Sequence, residues 1–197
     1  MIHVDVSRET ATTLAEFERM VGEENRRHNL ISAATLDDFQ TRHIADALQL
    51  CGLAPKGSRW CDIGSGAGLP GMVIAIASGE PMSLIEPRRL RADFLRRVIT
   101  ELGLHHVEVI EAKAERVVAK FDVITARAVA GLGELFAISQ HLAHPDTRWI
   151  LPKGKSAKKE LEAARNSWQG EFQLVPSQTS DDAMIVIAER VRRRGKA

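Results

Sequence analysis

The sequence predicts an α/β fold in which helices flank a mostly parallel sheet, and three observations support this prediction. From residue 59 onward, short apolar runs alternate with longer stretches whose apolar residues have helical spacing. A glycine-rich loop follows the first apolar run, and a short polar segment joins the last two runs. The alternation predicts right-handed strand–helix–strand units, and the polar segment predicts a hairpin. We therefore expect a Rossmann-like parallel sheet that ends with a late antiparallel strand.

The apolar runs give the bounds of the expected core elements. Strands are predicted at 59–63, 82–86, 107–111, 121–126 and 148–151. Helices are predicted at 69–78, 89–102, 131–142 and 156–168. The hairpin strands are predicted at 172–175 and 184–188, joined by a polar turn at 177–182.

Two helices are predicted ahead of the core. Residues 8–27 carry apolar side chains on one face and charges on the other, which is typical of an amphipathic helix. Thr35 begins the second helix, and Asp38 three residues later gives a start that resembles a capping box. We expect residues 1–57 to pack on the core as a helical cap and not as a separate domain.

Length and composition are those of an ordinary globular domain. The chain has 197 residues, of which 44% are hydrophobic and 27% are charged. We expect a single domain over residues 1–197, with the core at 58–190 and a mobile basic tail at 191–197. The formal net charge of +1 neither proves nor excludes a polyanionic partner.

The sequence gives no signal for export, a membrane or a metal. The N-terminus lacks the basic-then-apolar pattern of a signal peptide, and no apolar run approaches the length of a membrane span. Cys51 and Cys61 lie in apolar contexts without metal-ligand spacing, which predicts buried free thiols. We expect a cytoplasmic, monomeric protein with no membrane partner and no metal.

The glycine-rich loop predicts a nucleotide-type pocket at the end of the first strand. Gly64, Gly66 and Gly68 allow a tight turn, and the following helix offers unpaired N–H groups. The spacing Gly66-x-Gly68-x-x-Gly71 fits the dinucleotide fingerprint, which is weak alone. Asp62 and the alternating glycines resemble instead the first motif of Rossmann-like S-adenosylmethionine (SAM) methyltransferases, in which the acid and the loop hold the aminoacyl end of the cofactor. Gly71 is expected to permit close packing of the helix on the strand.

The next two strand ends offer further contacts for a nucleoside. Glu86 can accept hydrogen bonds from two ribose hydroxyls; alternatively it is a solvated acid paired with Arg88 or Arg89. The Ala114 backbone and the Glu115 side chain border the same crevice and could read the adenine edge. Alternatively, Glu115 faces water on the next short helix.

Basic residues follow the fourth and fifth strands. Arg127 ends the fourth strand, where an unpaired guanidinium is costly to bury, so it contacts the substrate or pairs with a carboxylate such as Glu115. After the fifth strand stand four lysines, which could neutralise phosphates or simply be solvated: Lys153, Lys155, Lys158 and Lys159.

Two residues of the second helix are further candidates. Arg42 and Asp46 are four residues apart and could form only a weak surface pair. His43 borders the apolar stripe, so it is either a buried, satisfied histidine or a functional residue.

Taken together, these residues resemble the bacterial 16S rRNA guanine-N7 methyltransferases of the RsmG (GidB) family over residues 12–190. The matching segments are Asn29-Leu30, Arg42-His43-Ile44-x-Asp46, the loop from Asp62 to Gly71, Phe94-Leu95, Ala114-Glu115, Phe121-Asp122, Arg127-Ala128 and Lys153-Gly154. The chain departs from the family at Leu90, where members usually carry a basic pair, and at Glu86, which replaces the Asp of some relatives. The segment before Asn29 is also shorter than in many members.

The resemblance implies a class I SAM-dependent methyltransferase with a seven-stranded sheet and SAM as cofactor. Its substrate would be N7 of a guanine in 16S rRNA of the small ribosomal subunit. The cofactor is expected to contact Gly64, Gly66, Leu69, Glu86, Ala114, Glu115 and Arg127. The RNA is expected to contact Arg42, His43, Arg127 and Lys153.

The chemistry of guanine N7 predicts that no single residue is catalytic. N7 carries an in-plane lone pair and needs no general base before it attacks a sulfonium methyl, so positioning should dominate. Three alternatives remain from the residues alone. They are an NAD(P)-dependent oxidoreductase, a non-catalytic RNA-binding protein that keeps SAM as a structural ligand, and a small-molecule methyltransferase.

Overall fold

A computed structural model describes residues 6–32, 36 and 38–195. Its strands are β1 (Trp60–Ile63), β2 (Met82–Ile85), β3 (Val107–Ile110), β4 (Phe121–Ala126), β5 (Ala143–Lys153), β6 (Trp168–Pro176) and β7 (Met184–Arg193). They form a seven-stranded sheet in the order β3-β2-β1-β4-β5-β7-β6. The first five strands run parallel, while β7 lies antiparallel to both β5 and β6. The predicted late hairpin and antiparallel strand are therefore confirmed.

Helices cover both faces of the sheet. They are α1 (Arg8–His28), α2 (Asp46–Cys51), α3 (Gly71–Ser78), α4 (Arg89–Glu101), α5 (Leu132–Ser139) and α6 (Ala157–Arg165). A π-helical segment, Gln40–Ala45, precedes α2. Short 3₁₀ turns occur at Ala114–Arg116 and Gln140–Leu142.

Successive side chains of the strands pack into two hydrophobic cores, one on each face of the sheet. On one face, Trp60 of β1 packs with α1, α2, α3 and α4; on the other, Cys61 packs with α5 and α6. All four residues of β1 and of β2 are buried, as expected for inner strands of a parallel sheet that is covered on both faces. Within the described residues, no helix is long and apolar enough to cross a membrane.

The second predicted helix differs from expectation. Thr35, its predicted start, lies outside the described residues. The helix contains the π-helical segment, so its side chains are not spaced as in a regular α-helix. The expected pair between Arg42 and Asp46 is not formed; Arg42 instead lies 3.5 Å from Asp38, and Asp46 faces other elements.

The predicted basic tail is also corrected. β7 continues to Arg193, and its residues Arg192 and Arg193 stand opposite Gln169 and Trp168 of β6. Main-chain pairing does not depend on apolar side chains, and Val191 contributes a buried contact. The apolar run therefore underestimated the strand, and residues 191–193 belong to the sheet.

Candidate functional site

The carboxyl ends of three adjacent strands meet at one edge of the sheet. β1 lies between β2 and β4, and Ile63 is in register with Ile85 and Ala126. Gly64, Glu86 and Arg127 follow these residues directly. The chain leaves β1 toward β2 on one side and reaches β4 on the other, so this edge is the topological switch point at which open α/β sheets bind ligands.

The glycine loop turns through left-handed backbone conformations. The φ angles of Gly64, Gly66 and Gly68 are 69°, 56° and 91°, and α3 consequently begins only at Gly71, two residues later than predicted. A Cβ built on Gly66 would make ordinary van der Waals contacts, with Gly64 O at 3.7 Å and Arg91 Nη1 at 3.8 Å, and would not clash with the protein. At Gly64, by contrast, the Val129 side chain lies 2.6 Å from the position of a Cβ.

Asp62 is buried beneath the loop. Its Oδ2 accepts a hydrogen bond from the Gly71 N–H at 3.1 Å, and a Cβ on Gly71 would lie 2.6 Å from Asp62 Cβ and from Leu84 Cδ2. The predicted role of Gly71 in close packing is thus confirmed. Burial raises the pKa of Asp62 to about 7, although the Gly71 hydrogen bond opposes the rise. Asp62 Oδ1 is buried and has no hydrogen-bond partner among the described residues.

Glu86 fastens the glycine loop to the end of β2. Its side chain is buried, with Oε2 accepting from Gly66 N at 2.9 Å and Oε1 from Arg88 N at 2.9 Å. The alternative of a solvated acid paired with an arginine side chain is therefore wrong. Each carboxylate oxygen has a second lone pair, so both can still accept from ribose hydroxyls.

Ala114 and Glu115 stand in the turn that follows β3. Because β3 pairs with β2, this turn lies beside Glu86. Ala114 is buried and Glu115 is exposed, so the side chain of Glu115 is free to meet a ligand or water. Leu69 is buried in the core below the loop.

Arg127 connects the end of β4 to the N-terminal helices. Its Nη2 donates to His43 Nδ1 at 2.8 Å, its Nη1 donates to Arg42 O at 3.0 Å, and Nη1 lies 3.7 Å from Asp46 Oδ2. The carboxylate that faces Arg127 is therefore Asp46, and the predicted alternative of Glu115 is wrong. Burial lowers the pKa of Arg127 from its ordinary value, while Asp46 and Asp62 oppose this shift.

His43 is buried and electrically neutral. Burial, and then the nearby charge of Arg127, lower its pKa to about 4. Nδ1 accepts the hydrogen bond from Arg127, so the imidazole proton resides on Nε2. Nε2 has no hydrogen-bond partner within the described part of the chain. Of the alternative of a buried, satisfied histidine, the burial is therefore confirmed, whereas a hydrogen-bond partner is present only at Nδ1.

Lys153 is held at the end of β5. Its Nζ donates to Ala130 O at 2.8 Å and lies 3.0 Å from Glu160 Oε2, with 11% of the side chain exposed. Lys155 forms an exposed ion pair with Asp182 at 2.8 Å. Lys158 and Lys159, which follow on α6, are exposed.

A cavity of about 390 Å³ brings the predicted basic residues together. It lies between the π-helical segment, the ends of β4 and β5, and the β6–β7 turn, and its lining includes Arg42, His43, Arg127 and Lys153. All four residues predicted for the RNA side thus border one space.

The β6–β7 turn is the part of this cavity that sequence reasoning missed. Ser177, Thr179 and Ser180 line the space, and the Thr179 hydroxyl donates to Asp46 Oδ1 at 2.8 Å. A signal was present in the predicted topology. A final strand antiparallel to β5 must begin beside Lys153, so its preceding turn reaches the same edge.

Comparison with known proteins identifies the family. Residues 10–183 match the GidB family, described as rRNA small subunit methyltransferase G. The chain belongs to this family. A ribosomal RNA small subunit methyltransferase G from Rhizorhabdus wittichii is 45% identical over 97% of this chain and 90% of its own length. A protein of the same name from Sphingopyxis alaskensis is 44% identical over 97% and 84% of the two chains.

Solved structures show that this GidB-family chain has the class I SAM methyltransferase fold, as predicted. The glycopeptide N-methyltransferase MtfA, complexed with S-adenosylhomocysteine, has a TM-score of 0.63 at 10% identity, covering 75% of this chain and 89% of its own. A TehB-like SAM-dependent methyltransferase from Corynebacterium glutamicum has a TM-score of 0.57 at 15% identity, covering 74% and 87%. At these identities the likeness concerns the fold alone.

Proposed function

We propose that this GidB-family chain is a SAM-dependent methyltransferase that transfers a methyl group to N7 of a specific guanine in 16S rRNA of the small ribosomal subunit. Family membership over residues 10–183 supports the activity and the substrate class. The observation that carries the proposal is the position of Arg127, which follows a strand next to the glycine loop and also lines the basic cavity. A cofactor crevice and an RNA-facing cavity thus share one wall.

The residues at the glycine loop fit SAM. Asp62 Oδ1, which has no hydrogen-bond partner among the described residues, is suited to a cationic amino group, and the missing side chain at Gly66 is suited to a ligand that lies against backbone. We assign the aminoacyl end to Asp62, Gly64, Gly66 and Leu69, the ribose to Glu86, and the adenine edge to Ala114 and Glu115. When bound, SAM supplies an electrophilic methyl group on its sulfonium sulfur.

The residues at the cavity position RNA and do not exchange protons. His43 cannot act as a general base, because its acceptor nitrogen is already bonded to Arg127. Guanine N7 needs no base, so these side chains serve by orienting the base and excluding water. We assign Arg42, His43, Arg127 and Lys153 to the RNA side, with Arg127 bordering the cofactor as well.

We further propose a single-domain protein that acts as a monomer in the cytoplasm, without a membrane or metal partner. Across the described residues, no group of three or more His, Cys, Asp or Glu side chains could hold a metal ion. The one-domain proposal is supported by the contacts of α1 with α3 and α4, which join the N-terminal helix to the core.

Methyl transfer with purified components tests the proposed activity. The protein would be titrated with SAM and with NADH, then incubated with labelled SAM and small ribosomal subunits that lack the modification. We expect SAM binding and label that is recovered as 7-methylguanine in 16S rRNA. NADH binding in place of SAM, SAM binding without transfer, or transfer only to a small molecule would contradict the proposal.

A further inference from the structure

The end of β7 and the residues after it form a run of basic residues without an acidic one. Residues 190–197 hold five of the 27 basic residues and none of the 26 acidic residues, so the rest of the chain has a formal net charge of −4. β7 begins opposite Lys153 and runs away from it, which places Arg192 about 26 Å along the strand at a rise of about 3.3 Å per residue. This basic end therefore lies at the opposite end of the strands from the cofactor crevice.

A β-bulge shapes this end of β7. Gln169 stands opposite Arg192 and Glu171 opposite Glu189, so Arg190 and Val191 together oppose Gly170 alone. Arg190 has a φ of 53°, a left-handed conformation that a non-glycine residue adopts at a cost. A Cβ on Gly170 would lie 2.7 Å from Glu189 O, so the bulge requires glycine at that position. Bulges and strained residues of this kind commonly re-aim side chains at functional sites.

The bulge turns two arginines toward one depression. Val191 is buried, while Arg190 and Arg192 are exposed and line a space of about 500 Å³ together with His144 and Asp146. Arg190 pairs with the exposed Glu171, and Arg192 has no ion pair within the described residues.

The arginines that follow are held in place and are not a loose tail. The Arg193 guanidinium lies 5.9 Å from the Trp168 ring centroid, and Arg194 Nε donates to Arg165 O at 2.7 Å. Arg193 and Arg194 are both exposed. Four arginines are thus presented on an ordered strand end, which lowers the entropy lost when they bind a polyanion.

We propose that residues 190–194 form a second RNA-binding surface, which takes the phosphodiester backbone of a ribosomal RNA segment outside the methylated loop. This inference rests on the proposed function, because an RNA substrate is what supplies a polyanion long enough to reach both ends of the strands. Phosphate contacts of this kind add affinity that depends on salt and carry no sequence information. The surface therefore holds long RNA and takes no part in the methyl transfer.

A pair of matched double variants tests this surface. Arg190→Gln with Arg192→Gln removes two charges at the bulge, and Arg8→Gln with Arg19→Gln removes two exposed charges on α1 as the control. Dissociation constants are measured over a salt series for whole 16S RNA and for a short hairpin that contains the target guanine. Methylation of the whole RNA is measured alongside.

We expect the bulge variant to bind whole 16S RNA about tenfold more weakly near physiological salt and to lose about one to two from the slope of log Kd against log salt concentration. Its affinity for the hairpin, its affinity for SAM and its kcat should equal those of the control. Equal losses on both RNAs, a fall in kcat, or no difference from the control would overturn the proposal. Binding to phosphatidylserine vesicles would be measured by co-sedimentation as well. A bulge variant that loses vesicle binding while its RNA binding is unchanged would also overturn the proposal. Absence of methyl transfer by the wild-type protein would instead contradict the proposed function and leave these binding constants interpretable.

Discussion

Arg127 Nη2 donates a hydrogen bond to His43 Nδ1 at 2.8 Å, and this contact joins the end of β4 to the π-helical segment. It fixes the imidazole tautomer and sets one wall of the basic cavity, while burial and then the charge of Arg127 lower the pKa of His43 and keep it neutral. The guanidinium has further contacts with Arg42 O and Asp46. Its planar fork of donors suits this arrangement, whereas a lysine would offer a single point charge.

Arg127 should therefore matter more for RNA methylation than for cofactor binding. We expect Arg127→Gln to reduce kcat/KM for RNA by about 100-fold, the effect of losing about 2.7 kcal/mol of transition-state stabilisation, with a smaller loss of SAM affinity. Arg127→Lys should recover only part of the activity, because it keeps the charge and not the fork. Calorimetry with SAM and initial rates with small subunits measure the two effects. Equal losses in both would contradict an RNA role.

Cofactor affinity should depend on the ionisation of Asp62. Its pKa in the absence of ligand is about 7, so a cofactor that needs the carboxylate must compete with a proton below that pH. We expect the dissociation constant for SAM to be about tenfold larger at pH 6 than at pH 8, as for one proton released on binding. Asp62→Asn should bind weakly with no such pH dependence. A wild-type affinity that is constant across this range would rule out a direct role for the ionised acid.

Acid should destabilise the fold through His43. The pKa of His43 is about 4 in the folded protein and has an ordinary value of 6.5, so the unfolded chain takes up a proton first as the pH falls. The resulting loss in the free energy of unfolding is absent above pH 6.5 and grows as the pH falls. It reaches about 3 kcal/mol near pH 4. Urea melts at pH 7 and pH 4 measure this effect. Between these pH values the wild type should lose about 3 kcal/mol more free energy of unfolding than His43→Gln does.

Asp62 supplies an internal control for that measurement. Its pKa is raised, so the folded protein holds a proton that the unfolded chain releases between pH 3.8 and about 7. This stabilising contribution is present at low pH and is lost as the pH rises to 7. The difference between wild type and Asp62→Asn should therefore change with pH in the opposite sense to that of His43→Gln. Parallel changes would show that at least one of the two pKa shifts is wrong.

Substitutions at two glycines of the loop should affect stability and cofactor binding to different degrees. Gly71→Ala would place a Cβ 2.6 Å from Asp62 Cβ and Leu84 Cδ2, so we expect it to lower the free energy of unfolding by about 2–4 kcal/mol through overpacking and backbone shifts. Gly66→Ala would make only ordinary van der Waals contacts but has a positive φ, so we expect a smaller loss of about 1 kcal/mol.

The same two variants should differ in the opposite order in their affinity for SAM relative to their stability. A methyl group on Gly66 enters the space that we assign to the cofactor, so Gly66→Ala should lose more SAM affinity per unit of lost stability than Gly71→Ala. Thermal melts with and without SAM measure both quantities. A Gly66→Ala protein that binds SAM as the wild type does would remove Gly66 from the cofactor site.

Sequence patterns predicted the core closely because its signals are local. The fourth strand, 121–126, has the bounds expected from its apolar run, and Gly71 packs against Asp62 as its place in the loop indicated. The strand ends also came together as predicted, since the carboxyl ends of parallel strands share an edge. The expected residues of the RNA side consequently line one cavity.

Contacts between segments that are distant in the sequence were not predicted from the sequence patterns. Asp46, which directly follows the π-helical segment, pairs with Arg127 and Thr179, and no local propensity indicates that segment or these contacts. The extension of β7 to Arg193 depends on main-chain pairing across a bulge, which charged residues permit but do not signal. Both features lie where tertiary contacts override the local pattern.

Mapping of 7-methylguanine at single-nucleotide resolution in 16S rRNA tests the central claim most directly. Ribosomal RNA would be compared from cells that contain the protein, cells that lack it, and cells in which the gene or its Arg127→Gln variant is restored. We predict that one 7-methylguanine disappears without the protein, returns with the wild-type gene, and returns poorly with the variant. An unchanged set of 7-methylguanines in cells that lack the protein would contradict the account.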